Sequence, residues 1–320
     1  MRLSQHPDFD QAIVAAREHF APDGLTEELL EKDYYVTEAL RAAAALLGNR
    51  LIFKGGTSLS KGWGLIRRFS EDIDLFVNPV TDGSLLSKRG IDREMKALRD
   101  AVGQHPDLTF DESRSRTVGG FGRSDYFRFP QRFAGASAIA PAVLVEAGSS
   151  SGLYSTEIRQ ISSLVALFLK ESNQTLDADD EIPFPVDILH FRRTFVEKMF
   201  AVHAKVEIAK RDGRRLGSYA RHYYDLYCLS RQAEVRSMLA SEEYREIRED
   251  YERIGLASFP RDYARPPDLR FARSDALFPT GELREMISGD YEQQCRALCY
   301  GPHPPWTEVE AVFAGLRAQL

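Results

Sequence analysis

Asp72 and Asp74 stand one residue apart, just before the apolar run Leu75-Phe76-Val77. On a strand, residues two apart point to the same face. Two ionised carboxylates held close need a counter-charge. A divalent cation supplies one, and Mg²⁺ held by carboxylates and phosphate oxygens is the common arrangement. Upstream lies Phe53-Lys-Gly-Gly-Thr-Ser-Leu-Ser-Lys61. A glycine turn that opens a helix presents backbone N–H groups to a phosphate with no Cβ in the way. Gly55, Gly56, Thr57 and Ser58 are therefore candidate nucleotide-binding residues. Thr57 and Ser58 also fit a purely structural N-cap. Ser70 sets a hydroxyl two residues before Asp72. Glu146 ends the apolar run Val143-Leu144-Val145 and is a candidate third metal carboxylate. The combination describes a nucleoside triphosphate site for metal-assisted phosphoryl or nucleotidyl transfer.

A second group of candidates lies further on. Between Val186 and Asp225 there are nine Lys/Arg against five acids, in a chain of net charge −6. Such a block is either a solvated helix face or a surface for phosphate or RNA. The RNA reading singles out Arg192, Arg193, Lys205, Arg211, Arg214 and Arg215. Lys198, on the same predicted helix, would reach a β- or γ-phosphate as a point charge. Asp225 could pair with Lys198 or Arg221. The tyrosines of Arg221-His-Tyr-Tyr-Asp-Leu-Tyr227 suit a core better than a stacking platform. His203 and His222 lack ligand spacing to one another, and no Gly-x-Ser-x-Gly elbow supports a serine hydrolase.

The elements that must position these residues follow from periodicity. Helices are predicted over 9–20, 25–47, 58–65 and 91–103, with strands at 50–53, 74–77, 108–111, 126–129 and 142–146. The Ser/Arg/Gly-rich stretch 112–125 reads as a loop. The stretch 173–185, with Asp177, Asp179, Asp180 and Glu181, reads as a solvated linker. Beyond it the pattern is helical: 191–210, with Phe195, Met199, Val202 and Val206 at helical spacing, then 220–231, 235–255, 281–300 and 307–320. Residues 258–280 read as irregular. The organisation is α+β, with a first domain at 1–185 and a helical domain at 186–320. No apolar run approaches the roughly 20 residues that span a bilayer, and the first residues lack a signal-peptide core. The three cysteines, Cys228, Cys295 and Cys299, read as reduced thiols, which suits a cytoplasmic protein.

Four segments carry a resemblance. They are Leu30-Glu-Lys-Asp-Tyr34; the glycine turn with Arg68-Phe-Ser-Glu-Asp-Ile-Asp-Leu75; Arg193-Thr-Phe-Val-Glu-Lys-Met199 with His203; and Arg221–Tyr227. Together they resemble the AbiEii/AbiGii nucleotidyltransferase toxins of the DNA polymerase β-like superfamily. The resemblance implies a mixed-sheet nucleotidyltransferase core followed by a helical C-terminal domain. It implies a toxin of a toxin–antitoxin or phage-defence module, with a cognate antitoxin. It further implies Mg²⁺ and NTP, with an RNA acceptor, the tRNA 3′ end in some members. Carried over by position, Gly56, Thr57 and Ser58 would hold the triphosphate, Asp72 and Asp74 the metals, and Lys198 a phosphate, while Asp225 would complete the catalytic set. A protein acceptor, or nucleotide binding without catalysis, are the competing readings.

Overall fold

The computed structural model describes residues 1–70, 72–81, 83–135, 140–150, 154–258 and 263–320. Glu71 of the acidic motif, and residues 259–262 of the stretch read as irregular, lie outside them. The chain divides into two compact units. The first comprises Met1–Gly64, Phe69–Ser151 and Thr156–Leu189; the second comprises Leu65–Arg68, Gly152–Ser155 and His190–Leu320.

In the first unit, helices α1 (Phe9–His19) and α2 (Glu27–Leu47) precede β1 (Leu51–Lys54), α3 (Gly55–Lys61) and β2 (Asp72–Val77). A short pair follows, β3 (Val80–Thr81) with β4 (Ser84–Leu85), and then α4 (Lys88–Val102). Next come β5 (Thr109–Val118), β6 (Gly122–Arg128), β7 (Ala142–Gly148), β8 (Thr156–Ile161), α5 (Leu164–Glu171) and β9 (Phe184–Leu189). Seven strands form one sheet in the order β5-β6-β7-β2-β1-β9-β8. The β2–β7 and β1–β9 pairs are parallel and the others antiparallel. Alternation sorts its two faces. Ile73, Leu75, Val143 and Val145 are buried, while Asp72, Asp74, Leu144 and Glu146 are half-buried on the opposite face.

Helix α2 organises the buried side. Thr26 caps it by accepting from the Leu29 N–H, and Gly48 ends it. The side chains of Glu31 to Tyr34 are buried, and each reaches a different segment. Glu31 accepts from the Arg132 and Phe133 N–H groups at 2.9 and 3.2 Å. Lys32 donates to the Ala140 carbonyl at 3.1 Å. Asp33 pairs with Lys61 and accepts from the Leu164 N–H, and the Tyr34 hydroxyl donates to Asp180 at 2.7 Å.

Two sequence expectations fail in this unit. Residues 112–125 are the arms and turn of the β5–β6 hairpin rather than a loop. A serine- and arginine-rich strand is tolerated because β5 is an edge strand largely exposed to water. Gly119 and Gly120, both at positive φ, are the central residues of its turn, closed by the Phe121 N–H donating to the Val118 carbonyl. The stretch 173–185 is not a free linker either. Asp180 is buried, accepts from the Leu3 N–H at 2.8 Å, and sits in a 3₁₀ turn that leads into β9. Of its four acids, Asp177 and Asp179 are exposed and match the solvated reading.

The second unit is helical: α6 (Phe191–Asp212), α7 (Arg221–Ser230), α8 (Ala233–Leu239), α9 (Glu242–Ser258), α10 (Gly281–Leu298) and α11 (Trp306–Leu316). The stripe Phe195, Met199, Val202 and Val206 is buried, as are Tyr223, Tyr224 and Tyr227, so those tyrosines are core. The single helix expected over 235–255 is two, broken at Ala240-Ser241. All three cysteines are free. No helix among the described residues is long and apolar enough to cross a membrane.

Candidate active site

Strand β1 ends at Lys54, opposite Asp74 in the antiparallel register, and the chain turns directly into α3. Gly55 makes that turn at φ +74°, and a Cβ placed there would fall inside the Asp74 carboxylate. Conformation and space both demand glycine at this position. Gly56 is buried behind it. The Thr57 hydroxyl donates to the Asp72 carbonyl, tying α3 to the start of β2, and the Ser58 hydroxyl donates to the Gly55 carbonyl at 2.9 Å. Lys54 is the N-cap residue, so neither hydroxyl caps the helix as one reading allowed. The hydroxyl protons are used inside the turn, and what the turn can offer a phosphate is backbone N–H.

Asp72 and Asp74 share one face of β2, half-buried. Ser70 is buried, with its hydroxyl 3.4 Å from Asp72 Oδ1. Glu146 lies beside Asp74 in the parallel β2–β7 register and accepts from the Ser124 hydroxyl at 3.1 Å. Among the described residues no three acids, histidines or cysteines close round a metal-sized space. Mg²⁺ does not require such a cage, because it keeps waters and substrate phosphate oxygens beside one or two carboxylates. An all-oxygen donor pair on one face, next to a glycine without a Cβ, fits that ion.

Lys198 and Asp225 belong to the second unit, with Arg68. Arg68 grips Asp225 with two bonds, Nε to Oδ1 at 2.6 Å and Nη2 to Oδ2 at 2.7 Å. Lys198 Nζ stands 2.7 Å from Asp225 Oδ2 and 3.3 Å from His222 Nδ1. Arg68 and Asp225 are fully buried and Lys198 nearly so. Burial opposes ionisation of Asp225, but Arg68 and Lys198 outweigh it and hold the carboxyl well below its usual range. Burial, then the Lys198 charge, push His222 down to about 4. Asp225 thus takes Lys198 rather than Arg221, and Arg68 is the partner that sequence reasoning missed. Its one signal was the arginine pair Arg67-Arg68 set between the apolar residues Ile66 and Phe69.

The basic block is largely committed to neighbours. Arg193 is buried, its guanidinium on Glu197 and Asp250, so it cannot face RNA. This corrects the sequence reading, whose charge count could not see which cations point inward. Arg192 holds Glu234 and Glu243. Arg215 holds Asp290, which also accepts from the Leu216 and Gly217 N–H groups. Lys205 lies over the Tyr219 ring, and Arg211 pairs with Asp212. Arg214 is exposed.

A mixed sheet that sets an Asp-x-Asp pair beside a glycine turn, followed by a helical region, is the architecture of a nucleotidyltransferase. The sequence model of the nucleotidyl transferase AbiEii toxins, type IV toxin–antitoxin systems, matches residues 38–314. The chain belongs to that family: it is a nucleotidyltransferase toxin of a type IV toxin–antitoxin system, which implies an NTP substrate and an antitoxin. The fold is similar to that of MenT4, a nucleotidyltransferase toxin from Mycobacterium tuberculosis H37Rv. The TM-score is 0.58 at 16% identity, over 96% of this chain and 90% of that one. No curated protein matches the chain.

Proposed function

We propose that the enzyme transfers a nucleoside monophosphate from an NTP to the 3′ end of an RNA, with tRNA the acceptor to test first, in the cytoplasm. The observation that carries this reading is the Asp72/Asp74 face set against Gly55, with Glu146 alongside. Asp72 and Asp74 would hold Mg²⁺, and Glu146, beside Asp74 on β7, would serve as a base rather than close a third position on the ion. When bound, the ion supplies charge neutralisation on the triphosphate and lowers the pKa of an attacking hydroxyl. The acceptor oxygen bonds to the α-phosphorus as the bond from that phosphorus to the pyrophosphate oxygen breaks. The acceptor proton passes to a carboxylate oxygen of Asp74 or of Glu146. The Gly55–Ser58 turn would position the phosphates through its N–H groups.

The test is incubation with each labelled NTP, total tRNA and lysate protein. Label in RNA that disappears with Asp74→Asn supports the reading. Label in protein alone would move the AMP-adding alternative ahead, since the same core serves either acceptor.

A further inference from the structure

The sheet register places a row of side chains beyond the carboxylates. Asp74 pairs with Glu146, Glu146 with Ser124, and Ser124 with Arg116. One row further along, Asp72 pairs with Leu144, Leu144 with Tyr126, and Tyr126 with Asp111. Residues opposite one another on paired strands share a face. Tyr126 and Arg116 therefore lie on the carboxylate face, out along the β5–β6 hairpin. Three strand spacings separate Arg116 from Asp74, roughly 14 Å at 4.7–4.9 Å each.

The register shifts between Asp111 and Arg116, so β5 bulges there. Bulges re-aim side chains beside active sites. This one lays the Arg114 guanidinium over the Tyr126 ring at 4.1 Å. One serine pins the bulge: Ser115 Oγ donates to the Asp111 carbonyl at 2.7 Å and accepts from the Tyr126 N–H at 3.0 Å. By strand alternation Arg128 shares the face. Arg114, Arg116 and Arg128 are exposed, and Tyr126 is half-buried. The acid that the hairpin itself adds to this face, Asp111, is engaged by the Ser113 hydroxyl and by Arg128. Glu112 instead lines a groove with Arg99, Asp100 and Phe110.

We infer that the bulged β5–β6 hairpin is the docking platform for a single-stranded polynucleotide, the acceptor strand, with Tyr126 stacking a base and Arg114 and Arg116 taking phosphates. An aromatic face beside guanidinium groups, on a face that leads to paired carboxylates, is complementary to a strand whose end must reach them. An acidic peptide would use the arginines but not the ring, and an apolar one the ring but not the arginines. The inference rests on the nucleotidyltransferase reading with RNA as acceptor, and its test is arranged to fail separately from it.

The probe is a fluorescein-labelled single-stranded RNA of mixed sequence, read by anisotropy across a salt series on the full chain. Arg114→Gln with Arg116→Gln should lower the slope of log affinity against log salt by roughly 1.4, about 0.7 for each phosphate of a single strand no longer neutralised. Tyr126→Ala should weaken binding roughly fivefold or more at every salt concentration, and Tyr126→Phe should restore it. All three positions face water at least in part, and each variant should melt as the parent does. If a variant melts early, photocrosslinking of the parent to the same RNA replaces it, and the adduct should map to 109–128. Parent-like slope and affinity in the variants, or crosslinks elsewhere, overturn the platform while leaving RNA as the acceptor. A fall in NTP affinity in place of RNA affinity assigns the face to the nucleotide and overturns it too. A parent that labels protein and binds no RNA overturns the acceptor reading itself.

Discussion

Asp74 is approached from three sides, by the Gly55 turn, by Lys54 across β1 and by Glu146 across β7. That crowding makes single substitutions informative. Asp72→Asn and Asp74→Asn keep size and remove charge, so each should lower transfer more than about a hundredfold, of the order of several kcal/mol of metal-centred stabilisation. Labelled-nucleotide incorporation checks this, and near-parent transfer by either variant would remove the metal assignment. Gly55→Ala adds one carbon at φ +74°, into the Asp74 carboxylate. It should lower both the melting temperature and transfer, the left-handed conformation alone costing about 1–2 kcal/mol. A Gly55→Ala protein that melts and transfers like the parent would show that the turn has room the geometry denies. At this scale the placement of these residues was legible, because Asp-x-Asp on a strand and Gly-Gly before a helix are local patterns. The roles of Thr57 and Ser58 were not, because their acceptors are backbone carbonyls whose positions only the folded turn defines.

At the scale of elements, α6 and α7 are joined through a carboxylate. Asp225 on α7 takes Lys198 from α6 and Arg68 from the segment before β2. Removing one member of a buried ion cluster leaves charge uncompensated, at about 3–5 kcal/mol. Asp225→Asn should therefore lose stability of that order at pH 7, by urea denaturation. The pH dependence has a definite sign. The folded-state pKa of Asp225 is depressed, so its contribution is present above the unfolded value of about 3.9 and is lost as pH falls through the folded one. His222 acts in a higher window. With its folded pKa near 4 against 6.5, the unfolded chain binds the extra proton between those values, so stability falls as pH drops from 6.5 toward 4. His222→Gln should flatten that part of the profile and leave the region above pH 7 alone; an unchanged slope would place His222 outside the cluster's electrostatics. Helical spacing showed α6 and its buried stripe directly. It could not show the β5–β6 hairpin, whose polar edge strand lacks the alternation that marks a half-buried one, or Arg68, whose partner lies 157 residues away.

Over the whole molecule, the net charge of −6 sets the terms for any polyanion. A chain of that charge repels RNA at long range, so affinity must come from a local cationic surface. Sequence counting placed that surface at 186–225, where the excess is largest. The fold commits much of that charge to neighbouring acids: Arg193 to Glu197 and Asp250, Arg192 to Glu234 and Glu243, Lys210 to Glu207 and Asp275, Arg215 to Asp290. A cation already paired releases no phosphate counterions unless its own pair breaks first. The exposed members suited to a test are Arg211, which pairs with its sequence neighbour Asp212, and Arg214. Arg215 is unsuitable, because it holds the Asp290 carboxylate that satisfies the Leu216 and Gly217 N–H groups, and its loss would disturb the fold. Reversal of Arg211 and Arg214 to glutamate should leave the salt slope of RNA binding within about 0.3 of the parent's, where two phosphates left without their cations would remove roughly 1.4. The same titration on the hairpin variants supplies the contrast. If the helical reversal takes the larger share of the slope, the acceptor crosses α6 as the charge count suggested, and the hairpin serves some other ligand.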